Sequence, residues 1–216
     1  MVNKIKLVLN VLLQPKVLKQ LIAMGSHGYL KEIGWFNSFK HKIPMDNSGK
    51  PLPWVTYGFI DFIEERLNKN MYVFEYGSGN STLWYAERVA SVTAVEHDKH
   101  WVEKIQDTMP NNVEIFYQEL KYGGEYANFV NQQDKMFDII IVDGRDRVNC
   151  IKKAVMKLPP SGVIVLDDSE RETYREAIDF LLDKGFKKID FWGISPGLFY
   201  KKCTTIFYRT DNCLGI

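Results

Sequence analysis

The chain has 216 residues, enough for one sizeable core with a short appendage, and its 45% hydrophobic and 13% aromatic content is that of an ordinary globular protein. A formal net charge of +1 argues against a general nucleic-acid binder, because neutralising phosphates takes a clear basic excess. The charge is uneven, however: residues 1–42 hold Lys4, Lys6, Lys16, Lys19, Lys31, Lys40 and Lys42 against Glu32 alone, which leaves the rest of the chain net acidic.

Residues 4–24 read as one helix interrupted at Pro15, with Ile5, Leu9, Leu12 and Leu13 on one side and lysines opposite. Such a basic amphipathic element suits a membrane surface, a partner or its own domain. The start mimics a signal peptide but lacks a small-residue cleavage site, so it is expected to be retained. No stretch reaches the ~18 apolar residues a membrane span requires. Cys150, Cys203 and Cys213 have no metal-type spacing, and an odd, sparse set fits a reducing compartment. The expected location is therefore cytoplasmic, with peripheral contact to the inner face of the membrane through residues 4–24.

A segment dense in aromatic residues, Gly and Pro follows and reads as an ordered, extended cap carrying Trp35, Phe36, Trp54 and Tyr57. Residues 57–68 place Phe59, Ile60, Phe62, Ile63 and Leu67 near one helical face. Strands and helices then alternate: strand "MYVFEY", helix "STLWYAERVA", strand "SVTAVEHD", helix "KHWVEKIQDTM" and strand "NVEIFYQ". An irregular polar stretch runs to residue 135. After it come strand "FDIIIVDG", helix "NCIKKAVMKL", strand "GVIVLDD" and helix "RETYREAIDFLLDKG". The chain closes with two strands, "FKKIDFWGIS" and "CTTIFYR", that have no helix between them. This order predicts an α/β fold: a doubly wound, mostly parallel sheet with an antiparallel hairpin at one edge and an N-terminal helical and aromatic extension. The division expected is residues 1–56 for the basic helix and aromatic lid, and 57–216 for the α/β domain. Glu75, Glu96, Asp143 and Asp167–Asp168 all end strands, and open α/β sheets bind ligands at those carboxyl ends.

The turn "FEYGSGNSTLW" packs Glu75, Gly77 and Gly79 between a strand and a helix. Glycines there let the backbone approach a ligand closely, while the next helix presents free N–H groups. A dinucleotide fingerprint wants a third glycine, but that position is Thr82, which disfavours an NAD-binding dehydrogenase. Glu-x-Gly-x-Gly followed by Glu96, 21 residues after Glu75, resembles the class I S-adenosylmethionine-dependent methyltransferases over residues 57–209. That resemblance implies a seven-stranded sheet with an antiparallel last strand. It implies an S-adenosylmethionine site in which Glu75 faces the cofactor's positive charge, Glu96 accepts from the ribose hydroxyls, and Gly77 and Gly79 let the chain pass. Ser81 and Thr82 either donate to the cofactor or cap the helix. His97 and Asp98 either reach the adenine edge or are surface residues.

At the reacting end, Asp143 closes the most apolar strand, with Asp167 and Asp168 24 and 25 residues on. Three converging carboxylates can hold Mg²⁺ or another hard cation. Such a trio resembles the metal-dependent catechol O-methyltransferase-type branch, except that this chain has Asp-Asp where that branch has Asp-Asn. Alternatively, Asp143 serves alone as general base, its pKa raised by like charges, while Asp167 or Asp168 binds substrate or caps a helix. Arg145 and Arg147 sit at a helix start, where cations are disfavoured, and are candidates to grip an anionic substrate or to pair with Asp146 or Glu170. "DGRDR … DDSER" and the aromatic lead-in resemble methyltransferases of glycan and polysaccharide assembly. The expected acceptor is thus a saccharide or other small hydroxyl compound and not a nucleic acid. A phenolic or natural-product acceptor, aminopropyl transfer, and a non-catalytic methyltransferase-like binding module are the alternatives.

Overall fold

The computed structural model describes residues 12–216. The expected helix over residues 4–24 therefore lies partly outside the described residues. Its described part is α1 (Pro15–Met24), which opens on Pro15, where a missing N–H costs no helical hydrogen bond. Two short helices, α2 (Tyr29–Glu32) and α3 (Trp35–His41), occupy part of the segment expected to be extended. The amphipathic run after it is α4 (Tyr57–Glu64), with Tyr57, Phe59, Ile60 and Ile63 buried.

The alternating part is β1 (Tyr72–Tyr76), α5 (Asn80–Ala86), β2 (Ser91–Glu96), α6 (Lys99–Ile105), β3 (Val113–Tyr117), α7 (Glu125–Asn128), β4 (Ile139–Val142), α8 (Arg147–Ala154), β5 (Val163–Asp167), α9 (Arg175–Asp183), β6 (Lys187–Gly193) and β7 (Lys202–Tyr208). The seven strands form one sheet in the order β3-β2-β1-β4-β5-β7-β6. β1 to β5 run parallel, and β7 is inserted antiparallel between β5 and β6. The doubly wound sheet with an antiparallel hairpin matches the sequence expectation. The stretch before residue 135, read as irregular, contains α7, which buries Tyr126 and Ala127. At four residues it is too short to show a helical period.

Both faces of the central strands are covered, which is why they read as unbroken apolar runs. Alternate residues go to opposite cores. Phe74, Ile140, Val142, Ile164 and Leu166 pack with Ile151 of α8 and Leu181 of α9. Val73, Ile139, Ile141, Val163 and Val165 pack on the other side with Ile60, Trp84 and Tyr85. Each such fully buried aliphatic side chain contributes roughly 1.5–3 kcal/mol. The aromatic lead-in is tied to the β6–β7 connection. Trp35 Nε1 donates to the Leu198 carbonyl at 2.8 Å, Trp54 Nε1 to that of Pro196 at 2.9 Å, and the Tyr57 amide to that of Ile194 at 3.1 Å.

This topology fixes where a ligand belongs. The chain winds outward in one direction from β1 to β3 and in the other from β4 to β5, so a crevice opens between the carboxyl ends of β1 and β4. The register sets Glu75 beside Ile141 and Tyr76 beside Val142, so the loops leaving both strands rise side by side.

Candidate active site

Gly77 leaves β1 at φ +102°, a conformation that side chains rarely adopt, and a Cβ there would stand 3.4 Å from the backbone of Gly144. Gly144 is tighter still, since a Cβ would meet Tyr126 Oη at 2.2 Å and the Tyr76 carbonyl at 2.9 Å. Two loops stripped of side chains therefore pass each other at the crevice. Beside them opens a cleft of approximately 370 Å³ whose walls include Glu75, Ser78, Ser81, Glu96, His97, Asp143 and Arg145.

Glu75 is buried, and its Oε2 has no hydrogen-bond partner. Burial pushes its carboxyl up to about 7; the Thr82 and Ser81 hydroxyls pull it down, and Glu96 pushes it up. Thr82 Oγ1 accepts from the Gly79 amide at 3.0 Å, so this side chain pins the turn at the start of α5. Glu96 is the opposite case, fully supplied with donors. Its Oε2 accepts from the Ser78 amide and hydroxyl, both at 3.2 Å, and its Oε1 from the amides of His97 at 2.7 Å and Asp98 at 3.1 Å. His97 Nδ1 lies 2.6 Å from Glu96 Oε1 but out of hydrogen-bonding alignment. Asp98 faces away from the cleft's chemistry: its Oδ1 accepts from the Trp101 amide at 3.1 Å and caps α6.

Asp143 stands where three hollows meet. It lines the cleft above, a second hollow of approximately 270 Å³ with Pro44, Trp54, Asn80 and Trp101, and a third of approximately 420 Å³ with Trp54, Asp168, Tyr200 and Lys202. Burial, then the charge of Asp167, push its carboxyl up to about 7 against the pull of Arg147 and Lys202. A carboxylate tuned to that range takes up and releases a proton near neutral pH.

The three aspartates do converge, as expected, but the chain's own cations sit on them. Lys202 Nζ, buried on β7, lies 2.6 Å from Asp167 Oδ2 and 2.8 Å from Asp168 Oδ1. Thr204 Oγ1 donates to Asp167 Oδ1 at 2.7 Å, and Arg171 Nη2 reaches Asp168 Oδ2 at 2.6 Å. Burial raises Asp167 despite Lys202. For Asp168 burial is outweighed by Lys202, Arg147 and Arg171, which hold it below the usual range. The Mg²⁺ expectation is therefore not supported: an ammonium occupies the place between Asp167 and Asp168. Among the described residues no group of three or more His, Cys, Asp or Glu is disposed to hold a metal ion.

The two arginines separate. Arg147 is buried and turned inward; its Nη2 donates to Asp143 Oδ1 and to the Asp143 carbonyl, both at 2.9 Å, its Nε to the Gly144 carbonyl at 3.0 Å, and its Nη1 to the Asp167 carbonyl. Four hydrogen bonds tie it to the protein, including the one that holds Asp143 Oδ1, and its side chain also borders the cleft. Arg145 lines the cleft and makes no ion pair among the described residues. Two non-glycine residues in the left-handed region, Asp146 at φ +51° and Asp168 at φ +53°, flank this cluster, where backbone strain commonly gathers.

Sequence reasoning missed Ser78, which sits inside the glycine turn, and Lys202. A lysine opening an apolar strand was the one visible signal for the latter. No protein-family profile and no curated protein matches the sequence. Solved structures do. A precorrin-6y C5,15-methyltransferase from Geobacter metallireducens superposes with a TM-score of 0.56 at 14% identity, over 70% of this chain and 86% of that one. A putative methyltransferase from Streptococcus mutans in complex with SAH gives 0.51 at 14%, over 69% and 94%. An rRNA methylase from Streptococcus thermophilus gives 0.50 at 14%, over 71% and 95%. The chain has the class I methyltransferase fold. A fold hosts many reactions, so the reaction rests on the site.

Proposed function

We propose that the chain is an S-adenosylmethionine-dependent methyltransferase that methylates a hydroxyl oxygen, with a saccharide as acceptor. The observation that carries this reading is the unpartnered, buried Oε2 of Glu75 in the cleft at the switch point. A buried carboxylate oxygen without a donor is costly unless a ligand supplies one, and the cofactor's ammonium is such a donor. The rest of the cleft fits the same group. Glu96 is held by three backbone amides, and only the Ser78 hydroxyl must swing aside for a ribose diol to bind. Gly77 and Gly144 let the β1 and β4 loops pass in contact beside the cleft, and the site needs no phosphate-binding cations.

The cofactor supplies a methyl group on a sulfonium leaving group. Asp143 takes the proton of the acceptor hydroxyl, with Oδ1 fixed by Arg147. Trp54 and Tyr200, both partly exposed beside Asp143, offer faces on which a sugar ring can lie, which aligns the oxygen for in-line attack. Arg145 is placed to meet an anionic substituent of the acceptor.

The experiment is transfer of labelled methyl from S-adenosylmethionine to a panel of saccharides and phenols. Asp143→Asn is expected to lower kcat by about 100-fold or more while cofactor affinity is kept. The wild-type rate is expected to rise with pH through about 7 as Asp143 loses its proton. An Asp143→Asn enzyme with full turnover would exclude this base, and labelled phenols without labelled saccharides would move the acceptor class.

A further inference from the structure

The leader helix leaves an apolar face that nothing in the described chain covers. α1 has no buried residue. Leu12 is 55% exposed, Leu13 77%, Leu21 51% and Ile22 70%, and Val17 is also exposed. At 100° per residue, Val17, Leu18, Leu21, Ile22 and Met24 fall on one side of α1, while Lys16, Lys19 and Gln20 fall on the other. An exposed aliphatic stripe of this extent marks an interaction surface.

We propose that α1 lies in the surface of an anionic membrane, its aliphatic stripe among the acyl chains and its lysines among the headgroups. Charge decides the occupant. The first acidic residue of the chain is Glu32, so the helix and everything before it are purely basic. Packing α1 on the α1 of a second copy would bring lysines together with no acid in either helix to answer them. An anionic lipid surface answers every one of them. The residues preceding the helix continue the same composition, with Lys4 and Lys6 among Ile5, Leu7, Val8 and Leu9. Pairing aliphatic and basic residues on one short helix gives the two weak signals that together hold a protein at an interface, where long lysine stems reach back to the headgroups. No described helix is long and apolar enough to cross a membrane, so the contact proposed is in the plane of the surface. The proposal stands whether or not the cleft transfers methyl groups.

The test is flotation of the full chain with vesicles of phosphatidylcholine mixed with phosphatidylglycerol, and with phosphatidylcholine alone, alongside sizing of the protein without lipid. Binding to the mixed vesicles only, weakened by salt, is expected. Leu21→Asp with Ile22→Asp should weaken it by about tenfold or more through the lost apolar contact. Lys16→Gln and Lys19→Gln should each weaken it by about fivefold. All four positions are exposed, so thermal unfolding of the variants should match the wild type, and the lysine variants give a second reading if the aspartate pair disturbs folding. No binding to the mixed vesicles, or equal binding by every variant, overturns the proposal. So does a wild-type dimer that ignores vesicles and dissociates in the aspartate pair, which would make the stripe an interface between copies.

Discussion

Replacing Glu75 by Gln tests the cofactor site through protons. Burial holds this carboxyl up to about 7, so it is about 0.9 protonated at pH 6 in the free protein. An ammonium placed at hydrogen-bond distance lowers a carboxylate by roughly 1–3 units. With a shift of about 2 units, binding S-adenosylmethionine expels about 0.8 of a proton from Glu75 at pH 6 and almost none at about pH 9. By the same linkage, affinity for the ammonium form of the cofactor should rise about tenfold between pH 6 and pH 8, or about 1.4 kcal/mol. Calorimetry in buffers of different ionisation enthalpy counts the protons directly. Burial also pushes Asp143 up to about 7, so the count is repeated in Asp143→Asn, which removes that contribution, and set against Glu75→Gln at the same pH. Glu75→Gln should abolish the Glu75 contribution and weaken binding at pH 8 by about 10- to 100-fold. Equal proton release by the wild type and Glu75→Gln would refute the assignment of the ammonium to Glu75.

Two further outcomes concern the cluster that surrounds the site. Lys202→Met leaves Asp167 and Asp168 buried without their shared ammonium, and should cost about 3–5 kcal/mol in denaturant unfolding. That loss should shrink at low pH, where the stranded carboxylates protonate; a pH-independent loss would point to packing instead of charge. Gly144→Ala forces a Cβ to within 2.2 Å of Tyr126 Oη and should destabilise by about 1–3 kcal/mol, whereas Gly58→Ala in α4, with open space around it, should be neutral or stabilising. Equal effects of the two glycine changes on the unfolding midpoint would contradict the close approach of the two loops.

What the sequence made legible was whatever a local pattern encodes. Ile139–Val142 and Val163–Leu166 read as strands because both faces are buried, and the acids that end them lie at the carboxyl edge of the sheet, beside the cleft. Glu75, Gly77, Glu96 and Asp143 were each visible, and the structure gathers them around one cleft. The partners of those acids were not visible, because they come from far along the chain. Lys202 meets Asp167 across 35 residues, and Ser78 meets Glu96 across 18. An acid trio without Lys202 looks like a metal site, and the bond from Arg147 to Asp143 is equally invisible in the sequence. From the sequence the aromatic lead-in reads as a single cap. Trp35 is in fact buried, while Trp54 remains partly exposed beside Asp143. Aromatic content alone does not separate those two fates, since both follow from which strand connection each ring meets.

The most direct measurement is titration of the folded full chain with S-adenosylhomocysteine, which keeps the ammonium and the ribose diol of the cofactor. The account predicts saturable one-to-one binding that is lost in Glu96→Ala, whose circular dichroism should match the wild type because the carboxylate is seated by backbone donors at a loop. A well-folded protein that takes up no S-adenosylhomocysteine, or a Glu96→Ala variant that binds it as tightly as the wild type, would contradict the account.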